Sequence, residues 1–150
     1  MIRHARITDM PRLMEMGREF YPKSGNLAKH VPMDEASVHD MFMRMMGGDK
    51  SILLVSESGG EIYGMIAAVV FPSYMNNGIK ICQELFWWVD PDKRNGKESL
   101  LDDLEEEAKA MGVNVIVVSS LDSIRPDVMR RFFVRKGFQI SEHTFVKGLI

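Results

Sequence analysis

Only one cysteine, Cys82, occurs in 150 residues. That excludes an internal disulfide framework and a zinc cluster built on several cysteines, and it fits a reducing cytosol. The four histidines, His4, His30, His39 and His143, show neither HxxxH nor HExxH spacing, so no metal is assigned. No stretch approaches the ~20 apolar residues that cross a bilayer. The N-terminus runs straight into Thr8-Asp9 without a long apolar segment, and a soluble, cytoplasmic protein with no membrane partner is expected. Neither charge sign dominates: 19 Lys plus Arg stand against 21 Asp plus Glu, a formal charge of −2. A general drive toward nucleic acid is therefore absent, and a nucleic-acid partner is not expected. GxxxxGK[ST] and GxGxxG are both missing, which removes the P-loop and the dinucleotide fingerprint. No internal repeat, linker or low-complexity tract interrupts the chain.

What is present describes a folding chain. It is 45% hydrophobic and 27% charged, ordinary globular usage, and its length suits one domain over residues 1–150. Ile2 to Ile7 alternates as a short strand, and Asp9 can cap a helix with Pro11 in its first turn, ending near Tyr21-Pro22. Lys23 to Asn26 is expected as a loop. A second helix fits Asp34 to Met46, capped by Asp34, with Val38, Met41, Phe42 and Met45 on one face. Nine of the 13 methionines lie in the first 46 residues; they suit either core or an adaptable groove. Ile52 to Glu57, Ser58-Gly59-Gly60 and Ile62 to Phe71 form a β-hairpin pattern, nearly continuous in apolar residues, so both faces should be covered. A polar loop, Ser73 to Gly78, leads to a strand from Ile79 to Val89.

From Ser99 onward Leu100, Leu101, Leu104, Ala108 and Met111 share a helical face, with the acidic run Asp102 to Glu107 on the others. Gly112 stops that helix and Val113 to Val118 follows as a buried strand, a parallel crossover unit. Pro126 to Lys136 is a helix closed by Gly137, and Phe138 to Ile150 offers a closing pair of strands. The junction between Val89 and Ser99 carries chemistry. Lys93-Arg94-Asn95-Gly96-Lys97 enters a helix N-terminus, where unpaired N–H groups, the dipole and three cations suit a phosphate or pyrophosphate. The plain alternative is a crossover turn with a basic, solvent-facing tip.

This order of elements, with Val89-Asp90-Pro91-Asp92-Lys93-Arg94-Asn95-Gly96 after the strand and Arg135-Lys136-Gly137-Phe138 closing the last helix, resembles the GNAT N-acetyltransferase superfamily. The resemblance spans essentially the whole chain. In that family a Val-x-Pro-x-x-Arg-Gly-x-Gly-x-Gly/Ala segment wraps the acetyl-CoA pyrophosphate, and a late Tyr-x-x-x-Gly-Phe segment lies beside the thioester. Val89, Pro91 and Arg94 match; Asn95 stands where a glycine is usual, the loop is shorter, and Phe133 stands where a tyrosine acid is frequent. The run Phe132 to Phe138 and the segment with Phe145, Val146 and Lys147 look like small phage members of the superfamily.

The resemblance implies an α/β GNAT fold, a mixed and mostly antiparallel sheet flanked by helices and splayed between two central parallel strands. It implies acetyl transfer from acetyl-CoA to a primary amine, on a small molecule or a protein, by direct attack. Trp88, Val89, Lys93, Arg94, Asn95, Gly96, Lys97, Ser99 and Phe133 would meet acetyl-CoA. A bulged strand at Trp88-Val89 would supply the N–H that polarises the carbonyl. Glu84, a carboxylate in an apolar strand, is the candidate base, since burial raises a carboxyl pKa; its structural alternatives are an ion-pair partner or a solvent-exposed strand residue. Ser119 could assist the leaving sulfur or bind pantetheine, and Ser123 suits a turn. Trp87 and Trp88 alternate faces, so one at least should be core. Tyr21, Tyr74 and the loop from Ser73 to Asn77 would lie toward the acceptor. Cys82 reads as a buried small hydrophobe, with no neighbouring His or cation to activate it. Exposed strands near the C-terminus fit a homodimer. Phe133 and the irregular loop favour a rival reading, a catalytically weak CoA-binding or protein-interaction module; Arg94 and Glu84 oppose it. Base modification of nucleic acid is a third reading that lacks a basic groove.

Overall fold

The computed structural model describes residues 1–94, 99–120 and 125–150. A five-stranded sheet runs in the order β1 (Ile2–His4), β2 (Ser51–Ser58), β3 (Glu61–Ser73), β4 (Asn76–Val89) and β5 (Val115–Val117). The first three pairings are antiparallel, whereas β4 and β5 are parallel. Helices α1 (Met10–Phe20), α2 (Asn26–His30) and α3 (Glu35–Gly47) stand between β1 and β2. Parallel neighbours need a crossover, and α4 (Leu100–Ala110) provides it; α5 (Pro126–Arg135) follows β5.

The apolar runs of β2 and β3 serve two cores. Leu53, Val55, Met65 and Ala67 pack with Leu13, Met16, Phe42 and Met45 of α1 and α3. Ile52, Leu54, Ile66 and Ala68 pack on the other face with Leu100, Leu101 and Leu104 of α4 and Phe133 of α5. A strand covered on both faces has no polar row, which is why these segments lack alternation. Their turn is tight: Gly59 and Gly60 have φ of +59° and +82°, the two left-handed positions of a hairpin turn that glycine adopts without steric cost.

Several expectations change. Asp9 stands at the start of α1 but its carboxylate does not cap that helix; it accepts from the Arg6 N–H at 2.7 Å and from the Arg3 guanidinium at 2.8 Å. The ion pair with Arg3 holds the Asp9 carboxyl below its usual range and ties β1 to the entry of α1. Lys23 and Asn26 belong to structured elements, a 3-10 turn over Tyr21–Lys23 and α2. The polar loop at Ser73 to Gly78 contracts to a turn at Tyr74-Met75, because β3 and β4 pair as far as Ser73 and Asn76. β5 is shorter than Val113 to Val118 and not fully buried, with Val115 45% exposed. It is the outermost strand, because Phe138 to Ile150 forms no strands. Gly137, at φ +93°, turns the chain, the Phe138 N–H is taken by the Phe133 carbonyl, and the segment reaches α2, where a Cβ on Gly148 would lie 2.7 Å from His30 Nδ1.

Gly64 of β3 lies where α4 meets the sheet. A Cβ there would come within 3.2 Å of the Trp88 carbonyl and 3.3 Å of Leu100 and Val89 side-chain atoms. Gly64→Val should therefore destabilise by about 1–3 kcal/mol through overpacking, measured as a lower denaturation midpoint with an unchanged slope.

Candidate functional site

Parallel pairing between β4 and β5 lasts three rungs, Ile81 with Val115, Cys82 with Ile116 and Gln83 with Val117. Just beyond, the β3–β4 register slips: Ala68 faces Glu84, but Ala67 faces Phe86, leaving Leu85 as an extra residue. A bulge bends and twists its strand, so β4 turns away where its partnership with β5 ends. The bulge therefore lies at Glu84 to Phe86, not at Trp88-Val89 as the family resemblance implied. Trp88 and Val89 pair regularly with Met65 and Gly64.

Glu84 fills the start of this opening. Directly opposed residues share a face, and its partner Ala68 belongs to the core beneath α4. The carboxylate is 7% exposed and Oε1 accepts a 3.2 Å bond from the Ser119 N–H. Burial pushes its pKa up to about 7, against the opposing pull of that one bond. The structure thus brings Glu84 and Ser119 together, with the serine itself exposed. Cys82, also buried on this face, has its thiol pushed up to about 11 by desolvation, so it is a poor nucleophile.

Beside them Trp87 packs against Phe132 and Phe133 at ring separations of 5.9 and 6.4 Å, and Phe133 also meets Phe138 at 5.6 Å. Among the described residues the buried Trp87 indole N–H has no hydrogen-bond partner, an uncommon condition that costs free energy unless a ligand or water supplies the acceptor. Trp88 points to the opposite core. Its indole N–H donates to Asp90 at 3.1 Å, and Asp90 is ion-paired with Arg12 of α1. Arg94 stacks over the Trp88 ring at 4.9 Å while its Nε donates to the Val89 carbonyl at 2.8 Å. Lys93 ends the 3-10 turn Pro91–Lys93, and Ser99 caps α4 by accepting from the Asp102 N–H at 3.3 Å. Val89, Lys93, Arg94 and Ser99 consequently flank the approach to α4, whereas Asn95, Gly96, Lys97 and Ser123 lie outside the described residues.

Sequence reasoning missed Leu85 as the bulge and Trp87 as an unpaired donor. No residue type in Gln83-Glu84-Leu85-Phe86 marks a bulge, and nothing in the sequence tells which tryptophan N–H lacks a partner. Among the described residues no group of three His, Cys, Asp or Glu side chains could hold a metal, and no helix is long and apolar enough to cross a membrane.

A carboxyl with a raised pKa binds its proton more tightly in the folded state, so ionising it costs stability as pH rises from 4.5, the ordinary value, through about 7. Glu84→Gln keeps an oxygen for the Ser119 N–H and removes that cost. The variant should match the wild type near pH 4 and exceed it at pH 8 by on the order of 3 kcal/mol, read from denaturant unfolding at both pH values.

Comparison of the sequence with known protein families and with curated proteins finds no match. Solved structures do match. A transcriptional regulator from Bacillus halodurans is 23% identical, with 99% of each chain covered and a TM-score of 0.78. A predicted acetyltransferase from Clostridium acetobutylicum, solved with acetyl-CoA, is 17% identical over 99% of this chain and 96% of its own, with a TM-score of 0.76. An aminoglycoside acetyltransferase from an uncultured soil metagenomic sample is 16% identical over 100% of this chain and 98% of its own, with a TM-score of 0.74. None of these supports the narrower likeness to phage proteins. At such identities the shared property is the architecture, and that architecture is the GNAT acetyltransferase fold.

Proposed function

We propose that this protein is an N-acetyltransferase that moves an acetyl group from acetyl-CoA to a primary amine. The observation that carries the reading is Glu84: a buried carboxyl with a pKa of about 7, placed where β4 and β5 separate. Attack requires a neutral amine, and a base is most useful when its pKa lies near the working pH. Glu84, reached directly or through a water, removes the ammonium proton. The solved Clostridium acetobutylicum relative, which holds acetyl-CoA, and the aminoglycoside acetyltransferase supply the class of reaction.

The residues fit acetyl-CoA. Lys93 and Arg94 precede the N-terminus of α4, whose first N–H groups and dipole favour an anion, and Asn95, Gly96 and Lys97 follow them in the sequence. Arg94 must exchange the Val89 carbonyl and the Trp88 face for a phosphate oxygen. The unpaired Trp87 N–H offers a buried donor to a carbonyl of the pantetheine arm. Bound there, acetyl-CoA supplies an activated acyl carbon as its thioester. Phe133 has no proton to give, so the Ser119 hydroxyl, or water, serves the departing sulfur, and Phe133 with Phe132 forms an apolar wall that keeps solvent out.

Turnover should rise with pH through about 7 as Glu84 ionises. Glu84→Gln should lose that limb and lower kcat by roughly 10²–10⁴ while leaving acetyl-CoA affinity unchanged. Full activity in Glu84→Gln, with the pH profile retained, removes Glu84 as the base. Binding of acetyl-CoA without transfer to any amine in a broad panel would instead leave a CoA-binding module.

Calorimetry should show that Arg94→Ala weakens acetyl-CoA binding by roughly 1.5–3 kcal/mol, less at high salt. Trp87→Phe, which keeps the ring stacking but removes the donor, should weaken it by about 0.5–1.5 kcal/mol independently of salt. Wild-type affinity in either variant excludes that contact.

A further inference from the structure

The bulge residue Leu85 is 43% exposed and does not share the core beneath α4. With Met41, Arg44 and Met45 of α3, Lys50 before β2 and Val69 of β3, it lines an open groove of about 300 Å³. This groove abuts the opening between β4 and β5: Leu85 adjoins Glu84 in sequence, and Val69 pairs with Gln83, the last residue of β4 bonded to β5. Its chemistry is divided. Met41, Met45, Val69 and Leu85 are apolar, and two are thioethers that repack readily around different shapes. Arg44 and Lys50 bring two cations against one carboxylate, Asp49. Neither cation has an ion-pair partner among the described residues.

We infer that this groove is the acceptor site and that it selects a primary amine carrying a carboxylate on an apolar body. The inference rests on the acetyltransferase reading above. The apolar body lies against Met41, Met45 and Leu85, the carboxylate meets Arg44 and Lys50, and the amine passes the Leu85 bulge into the opening. The ammonium gives one proton to Glu84; its nitrogen bonds to the acetyl carbon as the carbon–sulfur bond breaks, and the second proton ends on the sulfur, leaving amide and thiol. Polycationic amines meet like charge at Arg44 and Lys50 and are disfavoured.

Two measurements on the full chain test this. In acetyl transfer, L-leucine and 6-aminohexanoate should exceed leucinamide, hexylamine and spermidine in kcat/KM by about tenfold or more, the worth of one charge-assisted hydrogen bond. Arg44→Gln/Lys50→Gln should abolish that preference while acetyl-CoA affinity stays unchanged. Separately, N-acetyl-L-leucine should bind the wild type in calorimetry and bind the double variant about tenfold more weakly, a readout that needs no turnover. Equal use of leucine and leucinamide, a preference for spermidine, or N-acetyl-L-leucine binding that is absent or indifferent to the double substitution overturns the inference. A chain that binds N-acetyl-L-leucine through Arg44 and Lys50 but neither binds acetyl-CoA nor acetylates any amine keeps the anion-selective groove and loses the acetyltransferase reading.

Discussion

Parallel pairing that stops after three rungs is the constraint on which the rest depends. A regular ladder would continue along β4, consume the N–H of Ser119 and close the sheet. The extra residue at Leu85 prevents this, because past a bulge the donors and acceptors of β4 no longer face those of β5. The unmatched Ser119 N–H then needs another acceptor, and the Glu84 carboxylate is close enough to serve. One inserted residue therefore opens the sheet, selects the side chain that lines the opening and leaves that side chain with a single donor.

The electrostatics of Glu84 become clear beside the other acidic groups. Asp9 is as well hidden, at 8% exposure against 7% for Glu84, yet its carboxyl is lowered where Glu84 is raised. Asp9 receives two bonds from the Arg3 guanidinium and one from the Arg6 N–H. Glu84 receives one peptide N–H and no cation among the described residues. Burial dominates at Glu84, where a single peptide N–H cannot offset it, whereas at Asp9 the Arg3 hydrogen bonds outweigh burial; that balance decides the sign. A group compensated like Asp9 stays ionised and holds structure. A group compensated like Glu84 sits near neutrality, able to take up or release a proton at small cost.

Much of the scaffold was legible because it is written in short-range chemistry. The Asp34 cap, the Gly59-Gly60 turn and the spacing of Leu100, Leu101 and Leu104 each act over a few residues, and each stands where the pattern places it. Glu84 was legible as a carboxylate among Ile81, Cys82, Leu85 and Phe86, a residue whose neighbours announce burial. What failed was decided by tertiary partners. Asp9 has the residue type and position of a cap, but Arg3 and the Arg6 N–H compete for its oxygens. Phe138 to Ile150 has strand composition, but strands need a neighbour, and Gly137 and the contact of Gly148 with His30 direct the segment toward α2. The bulge was misplaced because register belongs to the pair β3–β4, not to either strand alone.

The two faces of the sheet separate two kinds of charge site. On one, beneath α4, lie Glu84 and Trp87, whose indole N–H has no hydrogen-bond partner among the described residues. On the other, α3 and the start of β2 bring Arg44 and Lys50 around an apolar floor. A closed sheet would isolate them, since a paired backbone leaves no passage for a ligand. The bulge at Leu85 puts the break in that partition between the two. On the proposed acetyltransferase reading each side would hold its own molecule, and the atoms to be joined would meet only at the opening, next to Glu84, whose burial pushes its pKa up to about 7. On that reading, affinity for donor and selectivity for acceptor would be set by different residues, so substitutions on α3 would change the acceptor without disturbing the opening.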